Sequence, residues 1–310
     1  MASDRDKIKS VYEEISNLLT ESSDSRFAEI DRLPAEEVLK IINDEDAAVP
    51  AAVREELPYI AEAVDLISKN FDNGGRLFYF GAGTSGRLGI LDAAECPPTF
   101  GTDPERIKGI IAGGRETVFL SAEGAEDDIS EIPGIFDEHK IKKPDTIVAI
   151  SASTRTPFAL EALREGRENG CSTVFITCNP RENIDAPADI LICPVVGPEV
   201  VAGSTRMKSA LAQKMVLTML STGIMVKQGK LYKNLMVDLL DRSDKLSARS
   251  IKIVMTALKC DYDTAVNLLK DARGWVKAAI VMGKQKVDYQ SAVKLIDEAE
   301  GKLYRVFNEG

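Results

Sequence analysis

Histidine is almost missing from this sequence: His139, in the polar stretch FDEHKIKKPD that reads as a loop, is the only one among 310 residues. A Ser-His-Asp triad or a histidine-rich metal centre would have to be built around it, so acid–base chemistry here falls to carboxylates. Cysteine is sparse and shows no pairing pattern. Cys96, Cys171, Cys178, Cys193 and Cys260 are odd in number, scattered and never spaced C-x-x-C, which disfavours a disulfide framework and a zinc site alike, and no metal is expected. Most lie in or beside apolar runs, where a free thiol behaves as a small hydrophobe. Positive charge is short as well. With 39 Lys and Arg against 49 Asp and Glu the net charge is −10, which argues against nucleic acid as a partner. No apolar run is long enough to span a membrane, and the opening MASDRDKIKSVYEEI has no apolar core of a signal peptide. The expectation is a cytoplasmic protein with no membrane partner.

What is present falls into three parts. DKIKSVYEEISNLL, LPAEEVLKIINDED and AAVREELPYIAEAVDLISKNF carry apolar residues at helical spacing and fill the first 70 or so residues. After Asn73-Gly74-Gly75 the pattern changes to short apolar runs, RLFYF (76–80), KGIIA (108–112), TIVAIS (146–151), TVFIT (173–177) and ILICPV (190–195), several separated by helical stretches. Such alternation predicts an α/β fold, a doubly wound parallel sheet. A long helix follows over 204–229, from a Ser-Thr cap to Gly229. From about residue 245 come short helices without strands, turning at Cys260-Asp261 and Arg273-Gly274. The expected organisation is an N-terminal helical segment (1–50), an α/β domain (51–244) and a small C-terminal helical domain (245–310).

The stretch GAGTSGRLGILDAAECPPTFG (81–101) opens with G-x-G-x-x-G. In a dinucleotide site the next strand would end in an acidic residue for the ribose; here KGIIAGG ends in Gly113-Gly114. The loop offers instead Thr84 and Ser85 at a helix start, where N–H groups and the helix dipole favour an anion. Taken alone it is equally well a tight turn with an ordinary cap. A second loop, SASTRTPF, places Ser151, Ser153 and Thr156 after the third strand and before a helix opened by Pro157. Loops at the carboxyl ends of parallel strands converge on one crevice, so the pair favours a small phosphorylated ligand, held without a Walker lysine. Two carboxylates stand nearby in sequence. Glu95 follows the helix and is backed by the rigid turn Cys96-Pro97-Pro98, and Glu126 sits in SAEGAEDDI. Spacing does not choose between Glu126 and its neighbours Glu123, Asp127 and Asp128.

These motifs, together with VVGPEVVAGSTRMKSALAQKMVLTMLSTG and KNLMVDLLDRSDKL, closely resemble the N-acetylmuramic acid 6-phosphate etherases, lyases of the sugar isomerase (SIS) domain superfamily. The likeness runs from roughly residue 5 to the C-terminus. It implies an SIS-type sheet with a small C-terminal domain similar to ubiquitin-associated folds. The implied reaction is cleavage of the D-lactyl ether of N-acetylmuramate 6-phosphate to N-acetylglucosamine 6-phosphate and D-lactate, in recycling of cell-wall amino sugar. A homodimer using neither metal nor cofactor is implied too. By position the resemblance puts the acid–base pair on Glu95 and Glu126 and the phosphate loops on Thr84, Ser85, Ser151, Ser153 and Thr156. The lactyl carboxylate needs a cation, and Arg206, with Lys208 behind it, stands at the start of the long helix. One departure concerns Thr154, where many members have glycine; if the position needs φ > 0, threonine is costly there. Two rivals share the phosphate loops. An aldose–ketose isomerase needs no acid at a C3 ether, and a sugar-phosphate sensor similar to the glucokinase regulatory protein would leave both glutamates idle.

Overall fold

A computed structural model of the chain describes residues 18–239 and 244–309, with Lys9, Tyr12, Glu13, Ile15 and Ser16. The helix expected over 6–19 lies largely outside the described residues. The chain divides into two compact units, Met1–Asp92 with Ile107–Leu220 and Ala93–Arg106 with Ser221–Gly310.

The first unit holds a parallel five-stranded sheet of β1 (Leu77–Gly81), β2 (Ile107–Ile111), β3 (Thr146–Ile150), β4 (Ser172–Ile176) and β5 (Ile190–Ile192), in the order β2-β1-β3-β4-β5. All five expected strands are present, and β1 and β3 are buried at every position. That is why these runs are continuously apolar rather than alternating: both faces are covered. Phe78, Phe80, Ile147, Ala149 and Phe175 form one core with Phe136 and Phe158, the ring of Phe80 lying 5.8 Å from Phe136 and 6.1 Å from Phe158.

Helices α1 (Ala35–Asp46), α2 (Val49–Glu55) and α3 (Leu57–Asp72) precede the sheet. The single helix expected over 51–71 is broken at Glu56, ahead of Pro58. The Glu56 carboxylate is mostly buried and accepts from Arg181 Nη2 and from the backbone N–H of Cys193, both at 2.7 Å. The second bond takes the N–H just past β5, and ILICPV yields a strand of only three residues. Helix α4 (Gly83–Phe100) follows β1, α5 (Glu131–His139) follows β2, and α6 (Pro157–Glu168) follows β3. His139, expected in a loop, is the last residue of α5; it is half-buried, 3.4 Å from Lys108 Nζ through Nδ1. Helix α7 (Lys208–Lys227) is long and apolar enough to cross a membrane by length and composition, and 56% of its most apolar window is buried inside the protein.

The second unit contains a hairpin, β6 (Leu231–Tyr232) with β7 (Leu235–Met236), and helices α8 (Asp244–Leu258), α9 (Tyr262–Asp271), α10 (Val276–Gln285), α11 (Tyr289–Glu298) and α12 (Leu303–Val306). Asp261 and Asp288 cap α9 and α11, accepting from Thr264 N and Ser291 N at 2.8 Å. Helices α11 and α12 are separated at Gly301 with φ +74°. Val254, Ala279, Ile280, Ile296 and Leu303 are fully or almost fully buried at the centre. Beside them lies a buried charge cluster. Asp238 accepts from Lys277 Nζ at 2.6 Å and Trp275 Nε1 at 2.9 Å, with Lys230 Nζ at 3.4 Å. Trp275 is half-buried and committed to this cluster. Burial pushes the Lys277 ammonium below its usual range while Asp238 pulls it back.

Because only 4% of the Lys277 side chain is exposed, Asp238→Ala strands a buried cation. We expect urea unfolding to show a loss of about 3–5 kcal/mol for Asp238→Ala. Lys277→Met in the Asp238→Ala background should recover a large part of it.

Candidate active site

Strand β1 lies between β2 and β3, so the chain winds outward in opposite directions from the β1–β3 boundary. In parallel sheets that switch point opens a crevice at the strands' carboxyl ends. Gly81 and Ile150 are register partners, so the loops after β1 and β3 start side by side. Gly83 turns the chain with φ +51°, and α4 begins there. Gly86 leaves no room for a side chain, since a Cβ would meet the Gly81 carbonyl oxygen at 2.6 Å. The glycines of the fingerprint therefore set a tight strand-to-helix turn whose first N–H groups are free of intrahelical duty. Thr84 and Ser85 are half-buried there, and Ser85 Oγ donates to Gln213 Oε1 at 2.9 Å.

The second loop is pinned from below. Ser151 N donates to Ile176 O, and the Ala152 carbonyl accepts from Cys178 N, Thr177 Oγ1 and Asn179 Nδ2 at 3.0–3.2 Å. Ser151 and Thr156 are buried and hydrogen-bonded to each other at 2.8 Å, while Ser153 is half-buried. Thr154 adopts φ +64°, the left-handed region that the departure from glycine raised as a cost. A β-branched residue there stores on the order of 1–3 kcal/mol.

Glu126 stands on the short turn Ala125–Asp127, entered through Gly124 at φ +78°. It lines a cavity of about 290 Å³ together with Ala82, Gly83, Arg87 and Thr117, which places it beside the first loop. Although Glu126 is exposed, partial desolvation on its cavity side and the neighbouring Asp127 push its carboxyl above the usual range, Arg155 of the second loop pulls it down, and Glu21 adds a smaller push upward. Glu95 is exposed and is not among the residues lining that cavity. Its surroundings differ from the expected rigid turn, because α4 continues through Pro97 and Pro98 to Phe100. Proline's fixed φ fits a helix; what is lost is the N–H, so neither ring can bond the carbonyls of Ala93 and Ala94. The helix closes at Gly101, φ +62°, whose N–H reaches Pro97 O at 2.9 Å.

Arg206 is exposed just ahead of α7. The start of that helix, expected at a Ser-Thr cap, is capped by buried Glu199, which accepts from Lys208 N, Ser209 N and Ser209 Oγ at 2.8–2.9 Å. Lys208 is buried and paired with Glu45 at 2.7 Å. Among the described residues no group of three His, Cys, Asp or Glu is placed to hold a metal ion. Two site residues escape a sequence reading. Arg87 lines the cavity and donates to Val118 O at 2.8 Å and Thr117 O at 2.5 Å, its one sequence signal being its place within GTSGRLG. Gln213, 128 positions from Ser85, gives no signal at all.

A five-stranded parallel sheet with hydroxyl-bearing loops flanking its switch point is a doubly wound α/β fold, and the family matches make it an SIS-domain protein. Residues 129–223 match the SIS domain, and residues 59–166 match the glucokinase regulatory protein N-terminal SIS domain. Curated relatives carry the assignment further. The N-acetylmuramic acid 6-phosphate etherase of Salinibacter ruber is 52% identical over 87% of this chain and 88% of its own. Those of Symbiobacterium thermophilum and Photorhabdus laumondii are 51% and 47% identical, each over 86% of this chain and 89% and 88% of their own. The chain belongs to the N-acetylmuramic acid 6-phosphate etherase family.

Two outcomes check this geometry. Thr154→Gly should stabilise the protein by about 1 kcal/mol in thermal unfolding, strain relief exceeding the added chain entropy. In a carboxyl titration followed by NMR, Asp127→Asn should lower the Glu126 pKa, by removing a like charge, and Arg155→Met should raise it.

Proposed function

We propose that the protein cleaves the D-lactyl ether of N-acetylmuramate 6-phosphate, giving N-acetylglucosamine 6-phosphate and D-lactate, by elimination and then hydration. The observation that carries this reading is the 52% identity over 87% of the chain to an etherase. The two phosphate-loop motifs flank the switch point, which supports it. In the open-chain sugar the C1 aldehyde acidifies the C2 proton. A base removes that proton, the electron pair forms the C2–C3 double bond, and the C3–oxygen bond breaks as an acid protonates the departing lactyl oxygen. Water then adds at C3 and a proton returns to C2. Carboxylates and water suffice for every step.

Glu126 is the base at C2. The push that raises its pKa strengthens it as a base near neutral pH. Glu95 is the acid at the ether oxygen. Thr84, Ser85, Ser151, Ser153 and Thr156 form the phosphate site with the N–H groups at the start of α4, the bonded pair Ser151–Thr156 shaping it from behind. Arg206 meets the lactyl carboxylate. With its own N-terminal N–H groups engaged by Glu199, α7 leaves that task to the side chain. Residues 51–244 form the catalytic domain, and the protein acts as a cytoplasmic homodimer in recycling of cell-wall amino sugar. One observation favours a second reading: the match to the regulatory protein's SIS domain suits a sugar-phosphate sensor.

Incubation with N-acetylmuramate 6-phosphate in deuterated water tests both. Wild type should release D-lactate and incorporate deuterium at C2. Glu95→Gln should lose lactate release by about two to four orders of magnitude yet keep exchange at C2. Ether cleavage intact in Glu95→Gln with exchange lost would contradict the division of roles. Tight binding by wild type without lactate would favour the sensor.

A further inference from the structure

Gln213 lies on α7 with 1% of its surface exposed. Its Oε1 accepts the Ser85 hydroxyl proton at 2.9 Å, and its Nε2 is buried without a hydrogen-bond partner. A buried amide donor left unmatched costs about 1–3 kcal/mol, so native structures seldom keep one without a reason. A second arrangement becomes the better matched one once an anion is present to take the Ser85 proton. If the amide turns over, Nε2 donates to Ser85 Oγ and the Ser85 proton is released to point elsewhere. The same turn leaves Oε1 without a donor, a lighter cost than an orphaned N–H.

We propose that Gln213 is a positioning residue that sets the direction of the Ser85 hydroxyl, holding its proton in the free protein and handing it to the phosphate when the sugar phosphate binds. This rests on the reading of Ser85 as a phosphate contact. In the liganded state Ser85 accepts from Gln213 Nε2 and donates to a phosphate oxygen, so each hydroxyl atom and the amide N–H has a partner. The bond to an anion is charge-assisted and stronger than the neutral Ser85–Gln213 bond it replaces. Part of the binding free energy is therefore stored in the free protein as an unsatisfied buried donor and recovered on binding. No chemical step passes through Gln213; it acts on the phosphate through Ser85.

Gln213→Met tests this, because methionine fills similar space without a donor or acceptor. Calorimetric titration with inorganic phosphate should show about tenfold weaker binding, and KM for the sugar phosphate should rise by a similar factor, with the larger part of the loss in KM rather than kcat. In the absence of phosphate, Tm should equal or exceed that of wild type, since the orphaned donor is gone. A purely structural glutamine would instead lose Tm without a selective change in phosphate binding. In the Ser85→Ala background, Gln213→Met should add nothing further, as expected of two residues acting as one unit. Unchanged phosphate binding in Gln213→Met, or a drop in Tm that accompanies the weaker binding, overturns the proposal. If Ser85→Ala also binds phosphate normally, the reading of the loop falls with it. If Ser85→Ala alone weakens binding, only the role of Gln213 falls.

Discussion

The pairing of β1 with β3 is the constraint on which the rest of the first unit depends. Because Gly81 and Ile150 are register partners, two loops of different sequence leave the sheet at the same level. One brings a helix start and two hydroxyls; the other brings four hydroxyls and an arginine that acts electrostatically on Glu126. On the proposed reading neither loop needs a lysine, because a helix start and hydroxyls offer an anion dipoles and donors enough. The glycines follow from the same constraint: a Cβ on Gly86 would lie only 2.6 Å from the Gly81 oxygen, so the turn admits no other residue without displacing the strand.

That second loop is both rigid and strained. Three donors hold the Ala152 carbonyl, and two residues later Thr154 occupies a left-handed conformation. Strain of this kind persists only where surrounding bonds over-determine the backbone. Here the hydrogen bonds from the residues after β4 supply that excess, and the shape of the loop survives a residue that disfavours it.

Much of the fold was legible in the sequence because its strands are short, apolar on both faces and separated by turns rich in glycine and proline. Helix ends and breaks were harder to read. The start of α7 is set by the Glu199 carboxylate meeting backbone N–H groups across a loop, and no local pattern records that, whereas the break at Glu56 has a local marker in Pro58. Pro97-Pro98 misled in the other direction: a pair of prolines reads as a stop, yet near the end of a helix it removes two N–H groups without breaking the coil. For the site, the loops were visible as motifs, whereas Gln213 and the pairing of Lys208 with Glu45 were not, since 128 and 163 residues separate the partners. Glu126 needed the family resemblance to stand apart from the acidic residues around it, and the structure adds a physical distinction in its upward-shifted carboxyl.

The central claim is that the β1–β3 crevice holds the sugar phosphate. Its most direct test is the position of the phosphate group in a crystal of the protein with N-acetylglucosamine 6-phosphate. The account predicts phosphate oxygens within hydrogen-bond reach of Thr84, Ser85 and Ser153 and of the N–H groups that open α4. A phosphate seated instead against Arg206, with these loops empty, would contradict it.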